Sequence, residues 1–244
     1  LSIATGDYIW FIDSDDWIAP NSLEIISKII GLKEPEVIHF KAINAFNDKL
    51  VKRGKTFPNT KPIYDGKEII KHRLWATCVP FYIFKLEFLK HNSLHFFNGI
   101  FHEDNEFTPR MLYYAQKVYL SNETLYFVYQ NQNSITRTVN PQKSFDLIIV
   151  SHNLLRFVQD KVCEQEIQTC FYQFISLCLN AALHGSLSMD ESNLQKFNKT
   201  LRENQNIVSC LIKSRNIRYI LEYTLFKLIG NYSNTYKLIH TIKR

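Results

Sequence analysis

Residues 8–16 read Tyr8-Ile9-Trp10-Phe11-Ile12-Asp13-Ser14-Asp15-Asp16. The first five of these residues are apolar and strand-forming, which predicts a strand buried on both faces of a sheet. Three carboxylates follow at the carboxyl end of this strand, the edge at which open α/β sheets bind their ligands. The stretch therefore predicts an α/β fold with a site for a cation and an anionic substrate.

The acidic residues have the chemistry of a divalent-cation site. In an extended segment, side chains two residues apart point to the same side, so Asp13 and Asp15 converge on one ion while Asp16 turns toward the loop. Hard oxygen ligands suit Mg²⁺ or Mn²⁺, which share their coordination with water and phosphate oxygens, so a phosphorylated or diphosphate ligand is expected. The alternative is a solvated acidic turn that caps the helix beginning near Pro20.

Other functional classes fit the sequence less well. A calcium-binding EF-hand loop requires glycine at its sixth position, which is Ile18 when the count starts at Asp13. A phosphatase with a nucleophilic aspartate requires threonine or valine where this chain has Trp17. No nucleic-acid-binding motif is present and the basic residues are thinly spread, so no nucleic-acid partner is expected.

The composition is that of a globular protein. The 244 residues are 45% hydrophobic and 14% aromatic, and this length predicts one or two domains. Five widely spaced cysteines without a C-x-x-C pair indicate reduced thiols in a cytoplasmic protein rather than a disulfide framework or a zinc site. No apolar run has the length of a membrane-spanning helix.

Helix and strand signals alternate in the first part of the chain. Strands are predicted at 36–40, 79–84, 118–120 and 125–129, and helices from about 20, at 66–75, at 86–91 and from about 103. The polar stretch 47–62 predicts a surface loop. Beyond Asn140-Pro141 the pattern is wholly helical, so we expect an α/β domain over 1–139 and an all-α region over 140–244.

A second acidic pair, Glu103 and Asp104, lies where a helix is predicted to begin, with Phe107 and Met111 on its apolar face. The helix dipole favours the ionised carboxylate at this end and keeps it available as a general base. The alternative is that the pair only caps and stabilises the helix.

Three motifs, in this order along the chain, carry a resemblance to a known family. They are Ala4-Thr5-Gly6-Asp7-Tyr8-Ile9 through Phe11-Ile12-Asp13-Ser14-Asp15-Asp16; Phe101-His102-Glu103-Asp104 through Phe107; and Leu125-Tyr126 to Tyr129 with Asn133-Ser134-Ile135-Thr136. Together they resemble the D-x-D, E-D and S-I-T segments of family 2 glycosyltransferases, the inverting enzymes of the GT-A fold. The resemblance covers residues 1–137 and implies a partial GT-A mixed sheet with helices, followed by the all-α region.

The resemblance implies roles for the two acidic clusters. Asp15 would be the principal ligand of Mg²⁺ or Mn²⁺, and Asp13 would contact the same metal or the ribose of a nucleotide-diphosphate sugar. Asp104, with Glu103 beside it, would be the catalytic base that deprotonates an acceptor hydroxyl. The metal would neutralise the departing nucleoside diphosphate while the acceptor attacks in line with inversion.

Further substrate contacts are implied on the acceptor side. Ser134 and Thr136 would bond to phosphate or acceptor from a loop over the site. The family usually carries arginine just after the tyrosine-bearing strand, where this chain has Gln130, so Arg137 is the candidate for a phosphate contact. His102 would assist substrate binding; the alternative is a loop histidine bonded to backbone.

The expected function is therefore metal-dependent glycosyl transfer to a glycan or lipid-linked acceptor in bacterial surface or capsular polysaccharide synthesis. The chain starts downstream of the family's first strands and helix, so we expect it to be the carboxyl-terminal portion of such an enzyme, binding nucleotide sugar poorly. The alternative function is a non-catalytic truncated remnant that acts as a binding or interaction module.

The carboxyl-terminal charge predicts a peripheral membrane contact at the inner face of the cell membrane. From Lys213 to Arg244 there are seven basic residues against Glu222, which equals the whole net charge of +6. We expect residues 205–244 to associate with anionic lipid in a salt-sensitive way. Within 215–228, the periodicity predicts a helix whose apolar face packs on preceding helices while Glu222 lies on the opposite, polar face.

Overall fold

A computed structural model of the chain describes residues 1, 3–54, 56–58, 60–130 and 139–241, without the side chain of His240. The chain divides into two compact units, Leu1–Phe96 with Phe107–Thr138, and Phe97–Glu106 with Val139–Arg244. The expected division had one boundary, at 139/140. The observed division begins the later helical stretch at Val139 and also assigns Phe97–Glu106 to the second unit, in which the Phe101 N–H donates to Asp146.

The first unit is built on a mixed sheet. Its described strands are β1 (Tyr8–Trp10), β2 (Trp17–Ile18), β3 (Val37–Ala45), β4 (Leu50–Arg53), β5 (Tyr82–Lys85) and β6 (Val118–Tyr129). They are ordered β1-β5-β3-β6-β2, with β4 pairing the far end of β3. Strands β3 and β6 are parallel and the remaining pairs are antiparallel. The α/β character and the mixed sheet are confirmed.

Strand β1 is shorter and less buried than the sequence predicts. It covers three residues, all half-buried, and Ile12 beyond it is 49% exposed. The prediction of a five-residue strand buried on both faces is wrong, because β1 lies at the edge of the described sheet and pairs with β5 alone. Its position is held by side chains as well as by the ladder, since Trp10 Nε1 donates to the Pro80 carbonyl at 2.8 Å.

Two regions of the sheet contain strand where the sequence predicted otherwise. Strand β6 is continuous over the two short strands predicted at 118–120 and 125–129. The pairing with β3 is irregular over the polar interruption, where β6 advances from Leu120 to Tyr126 while β3 advances from His39 to Ala42. The predicted loop at 47–62 contains β4, which returns along β3 after a turn closed by the Phe46 N–H and the Lys49 carbonyl.

Helices cover the sheet of the first unit. They are α1 (Ser22–Lys33), α2 (Gly66–His72), α3 (Leu86–His91) and α4 (Glu103–Tyr114), the last beginning in residues grouped with the second unit. The predicted apolar face of α4 is confirmed, since Phe107, Met111 and Leu112 are fully buried. Helix α2 starts hard against α4: a Cβ on Gly66 would lie 1.9 Å from the Leu112 carbonyl oxygen, so only glycine fits there.

The second unit is helical, as predicted. After Asn140, whose side chain caps the first helix, come α5 (Pro141–Lys161), α6 (Gln165–Ser186), α7 (Glu191–Glu203), α8 (Gln205–Val208), α9 (Cys210–Lys213), α10 (Ile217–Ile229) and α11 (Tyr232–Thr241). Apolar residues of α5 and α6, among them Leu154 and Phe171, are buried. Within the described ranges, no helix has both the length and the apolar content that crossing a bilayer requires.

Candidate functional site

The acidic stretch after β1 is a tight turn. The Asp16 N–H donates to the Asp13 carbonyl at 3.1 Å, which closes a four-residue β-turn. The prediction that these residues continue an extended strand is therefore wrong, and alternation along a strand does not set their directions. The turn leaves Asp13, Ser14 and Asp15 exposed, whereas Asp16 is half-buried.

Strand β6 holds this turn through Tyr126 and Tyr129. The Asp13 N–H donates to the Tyr126 hydroxyl at 3.0 Å, and the Tyr129 N–H donates to Asp16 Oδ1 at 2.8 Å. The Tyr126 hydroxyl is also hydrogen-bonded to the Asp16 carboxylate. Burial raises the pKa of Tyr126 well above its usual value, so the phenol stays protonated. Its hydroxyl therefore donates the hydrogen bond to the Asp16 carboxylate.

The same contacts give Asp16 an environment different from that of Asp13 and Asp15. Burial raises the pKa of the Asp16 carboxyl, and the hydrogen bonds from Tyr129 and Tyr126 act in the opposite direction. Because its oxygens accept these bonds, Asp16 is a structural anchor of the turn. The carboxylates of Asp13 and Asp15 are on the exposed part of the turn.

The exposed carboxylates of Asp13 and Asp15 match the coordination preferences of Mg²⁺ or Mn²⁺. Within the described residues, no group of three or more His, Cys, Asp and Glu side chains is arranged to enclose a metal ion. Such an enclosure is not what these ions need at a nucleotide site, because Mg²⁺ usually binds one or two carboxylates together with water and substrate phosphates. Asp13 and Asp15 fit this donor set.

The second acidic pair opens helix α4. The carbonyl of His102, whose backbone has a φ of 66°, accepts from the Asn105 and Glu106 N–H groups and caps the helix. Asp104 is half-exposed, and its Oδ1 accepts from the Asn105 N–H at 2.7 Å; Glu103 is exposed. Asp104 also acts electrostatically within the second unit, where its negative charge adds to the burial that raises the pKa of Cys178 to about 12.

A buried carboxylate positions the residues before α4. Asp146, on α5, is 1% exposed and accepts from the Phe101 N–H at 2.8 Å and from the Gln142 side-chain amide. Burial lowers the pKa of the neighbouring His102 below its usual value, which favours the neutral ring. Sequence reasoning did not find Asp146, because a single aspartate in a helical pattern carries no signal of what it binds 45 residues away.

The structure groups the predicted site residues in two places. Asp13 and Asp15 share one turn of the first unit, and His102, Glu103 and Asp104 share one helix start of the second. The other three predicted substrate-binding residues, Ser134, Thr136 and Arg137, lie outside the described residues. Tyr126 was not predicted as a site residue, although it lies in the segment Leu125-Tyr126 to Tyr129 that resembles the family. The Asp13 N–H, which bonds to its hydroxyl, is 113 residues away in the sequence.

Comparison with known proteins shows which family the first part of the chain resembles. Residues 1–94 match the family model of glycosyl transferase family 2. This first part of the chain is similar to glycosyltransferase family 2. A curated relative, the uncharacterized glycosyltransferase YibD of Escherichia coli K12, is 21% identical over 148 residues, which are 56% of this chain and 42% of the relative. The chain thus spans less than half the length of that relative.

Solved structures show the same GT-A fold. The crystal structure of S. aureus TarS 1-349 in complex with UDP-GlcNAc has a TM-score of 0.70 and 19% identity, covering 98% of this chain and 69% of TarS 1-349. The crystal structure of S. aureus TarS has a TM-score of 0.60 and 17% identity, covering 97% of this chain and 41% of that one. At these identities the likeness shows the fold alone.

Proposed function

We propose that this protein transfers a sugar from a nucleotide-diphosphate sugar to an acceptor hydroxyl with inversion at the sugar carbon. The observation that carries the proposal is the acidic turn, in which Asp16 is anchored to β6 while Asp13 and Asp15 remain exposed. The family match over the residues that contain this turn supports it, as does the likeness to a structure in complex with UDP-GlcNAc.

The acidic turn is the proposed donor site. Asp13 and Asp15 would hold Mg²⁺ or Mn²⁺, and Asp13 would contact either this metal or the ribose of the donor. The bound ion supplies charge neutralisation for the departing nucleoside diphosphate. Tyr126 and Asp16 keep the two ligands on a fixed turn, so that little ordering is required when the donor binds.

Asp104 is the proposed catalytic base. Its place in the first turn of α4 favours the ionised form, which is the form that accepts a proton from the acceptor hydroxyl. The bond from the Asn105 N–H to Oδ1 fixes the carboxylate orientation, and Asp146 fixes the segment before it. Glu103, exposed beside Asp104, and His102 would assist acceptor binding.

The proposed acceptor is a glycan or lipid-linked hydroxyl compound in bacterial surface or capsular polysaccharide synthesis. The bacterial sources of the relatives named above support this setting. A cytoplasmic location, at the inner face of the membrane, would give the enzyme access both to nucleotide sugars and to a lipid-linked acceptor. Free thiols at all five cysteines are compatible with it.

Donor binding and turnover test the division of roles. With UDP-GlcNAc as probe and Mn²⁺ present, Asp15→Asn should weaken binding in calorimetry by at least about tenfold, since a charged ligand of the ion is lost. Asp104→Asn should leave the affinity near wild type and lower donor turnover by roughly a hundredfold or more. The anomer released to water, followed by NMR, reports inversion.

Two matched variants control this experiment. Asp48→Asn removes an exposed carboxylate from the β3–β4 turn and should change neither quantity. Glu103→Gln removes the neighbour of the proposed base and should affect turnover less than Asp104→Asn. Equal loss of donor affinity in the Asp15 and Asp104 variants would refute the assignment, and release of the retained anomer would refute inversion.

A further inference from the structure

Helix α10 presents its apolar stripe to solvent. Ile217 is 71% exposed, Leu221 is 58% exposed and Leu228 is 77% exposed. At the helical repeat of 3.6 residues these three side chains fall within an arc of about 40°, so they form one stripe along the helix. The sequence predicted the reverse orientation, with this face packed inside, and that prediction is wrong.

A buried carboxylate sets the rotation of α10. Glu222, expected on the solvent side, is 1% exposed and accepts from the Asn180 amide of α6 at 2.9 Å and from Arg218 Nε at 3.2 Å. Phe226, one turn later on the same face, is buried against Tyr232. Because Glu222 and Phe226 occupy the inner face, Ile217, Leu221 and Leu228 are directed outward.

The surroundings of the stripe are basic. Arg218 and Lys227 lie on α10 at either side of it, about 80–100° around the helix axis. Over residues 205–241 the described chain has further exposed cations at Lys213, Arg215 and Lys237, and its single acidic residue is the buried Glu222. Glu222 pairs with Arg218. The positive charges of Lys227, Lys213, Arg215 and Lys237 have no exposed carboxylate of this stretch to offset them.

We propose that this face of α10, called the α10 stripe and defined by Ile217, Leu221 and Leu228, binds the surface of an anionic lipid bilayer. An outward apolar stripe flanked by cations has the features of helices that lie in the membrane interface. The apolar side chains enter the headgroup and acyl boundary while Lys227 and Arg215 contact anionic headgroups. The inference is independent of the proposed catalytic function.

Charge decides between a lipid surface and a second copy of this chain. In a symmetric dimer through the stripe, the flanking cations would face their own equivalents without exposed carboxylates of the same stretch to pair with them. The stripe is also narrow, with three large apolar side chains, whereas a stable protein interface buries about 800 Å² on each partner. An anionic bilayer complements both the charge and the shape.

Vesicle co-sedimentation tests this proposal with the full chain. We expect binding to phosphatidylcholine vesicles containing phosphatidylglycerol at low salt, little binding to pure phosphatidylcholine, and a decrease as salt screens the charges. Leu221→Ser with Leu228→Ser should lower the partition coefficient by roughly tenfold or more. Arg215→Gln with Lys227→Gln should lower it about fivefold per charge at low salt.

Matched variants on α1 control for exposure and charge. Leu23→Ser with Leu32→Ser removes two exposed leucines of the first unit, and Lys28→Gln with Lys33→Gln removes two exposed cations there. Both should bind vesicles as the wild type does, and circular dichroism should show all variants folded. Equal binding to neutral and anionic vesicles, or equal losses in the α1 and α10 variants, would overturn the proposal. A dimer in light scattering that Leu221→Ser with Leu228→Ser dissociates would overturn it in favour of a second copy.

Discussion

Tyr126 connects the interior of the sheet to the acidic turn at the scale of single residues. Its ring is fully buried on β6 and lies 6.1 Å from the ring of Trp10, while its hydroxyl bonds to the turn. One side chain thus accepts from the Asp13 N–H and donates to Asp16. The exposed ligands of the proposed donor site depend on this buried residue for their position.

Removing the Tyr126 hydroxyl should loosen the turn. Tyr126→Phe deletes the acceptor for the Asp13 N–H and the donor to Asp16, so the free energy of unfolding of the first unit should fall by about 1–3 kcal/mol. All three tryptophans, Trp10, Trp17 and Trp75, lie in this unit, so urea unfolding followed by tryptophan fluorescence reports on it. Affinity for UDP with Mn²⁺ should fall severalfold as well.

Tyr129→Phe is the matched control for this prediction. The Tyr129 hydroxyl is bonded to Asn47 at 3.3 Å on the exposed side of β6, and its backbone bond to Asp16 survives the substitution. The control should therefore keep near-wild-type stability and UDP affinity. Equal losses in the two variants would mean that Tyr126 does not hold the turn through its hydroxyl.

His39 should make the first unit sensitive to acid. The ring is buried, stacked on Tyr82 at 4.1 Å, with Nδ1 3.1 Å from the Phe81 carbonyl, and burial lowers its pKa to about 3. Because the unfolded chain takes up a proton near pH 6.5 and the folded one does not, stability is full above that pH. It falls by up to about 1.4 kcal/mol per pH unit as the pH drops toward 3.

The measurement is the pH slope of unfolding, not the stability at one pH. Urea midpoints between pH 7 and pH 5 should decrease for the wild type, and His39→Gln should remove most of that decrease. His95→Gln, at an exposed ring, should keep the wild-type slope. A slope that survives in His39→Gln would assign the acid sensitivity to other groups.

At the scale of elements, the contact between α2 and α4 requires glycine at position 66. The Gly66 N–H donates to the Ala115 carbonyl at 2.8 Å, and the Leu112 carbonyl approaches the Gly66 Cα closely. Helix α2 therefore begins at the carboxyl end of α4 with backbone against backbone. Helix α1 contains a glycine in the opposite situation, since a Cβ on Gly31 would meet nothing within 4 Å.

Alanine at these two glycines should have effects of opposite sign. Gly66→Ala should lower the free energy of unfolding of the first unit by roughly 1–3 kcal/mol, because its methyl group collides with backbone atoms that cannot rotate away. Gly31→Ala should raise it by about 0.5–1 kcal/mol, because alanine restricts the unfolded chain and favours the helix. Urea unfolding by tryptophan fluorescence measures both, and destabilisation by both would contradict the packing argument.

Helix α10 shows at the element scale how one polar residue overrides periodicity. Its apolar residues recur at helical spacing, which normally marks a buried face. The bonds from Asn180 and Arg218 instead hold Glu222 inside, and the helix turns its apolar stripe outward. The hydrophobic pattern shows only which residues share a face of the helix. The elements that pack against the helix determine whether that face is buried.

At the scale of the molecule, the proposed chemistry is divided between the two units. The acidic turn belongs to the unit with the mixed sheet, and the proposed base with its support by Asp146 belongs to the helical unit. The helical unit also carries the exposed cations around the α10 stripe. The short segment Phe97–Glu106 places Glu103 and Asp104 in the helical unit.

The sequence alone predicted the features that depend on local interactions. The α/β region followed by helices, the start of α5 at Pro141 and the buried face of α4 follow from caps and periodicity within a few residues of each other. The resemblance of the first part of the chain to glycosyltransferase family 2 was likewise readable, because the residues that carry it are contiguous.

Only the tertiary structure decided which carboxylates of the acidic turn are exposed and which one is bonded to β6. Asp16 differs from Asp13 and Asp15 because Tyr126 and Tyr129, more than a hundred positions later, bond to it; the Tyr129 contact spans 113 residues. The rotation of α10 depends on an amide 42 residues away. Such contacts leave no periodic trace in the sequence, because the partners are brought together by the packing of elements and not by their spacing along the chain.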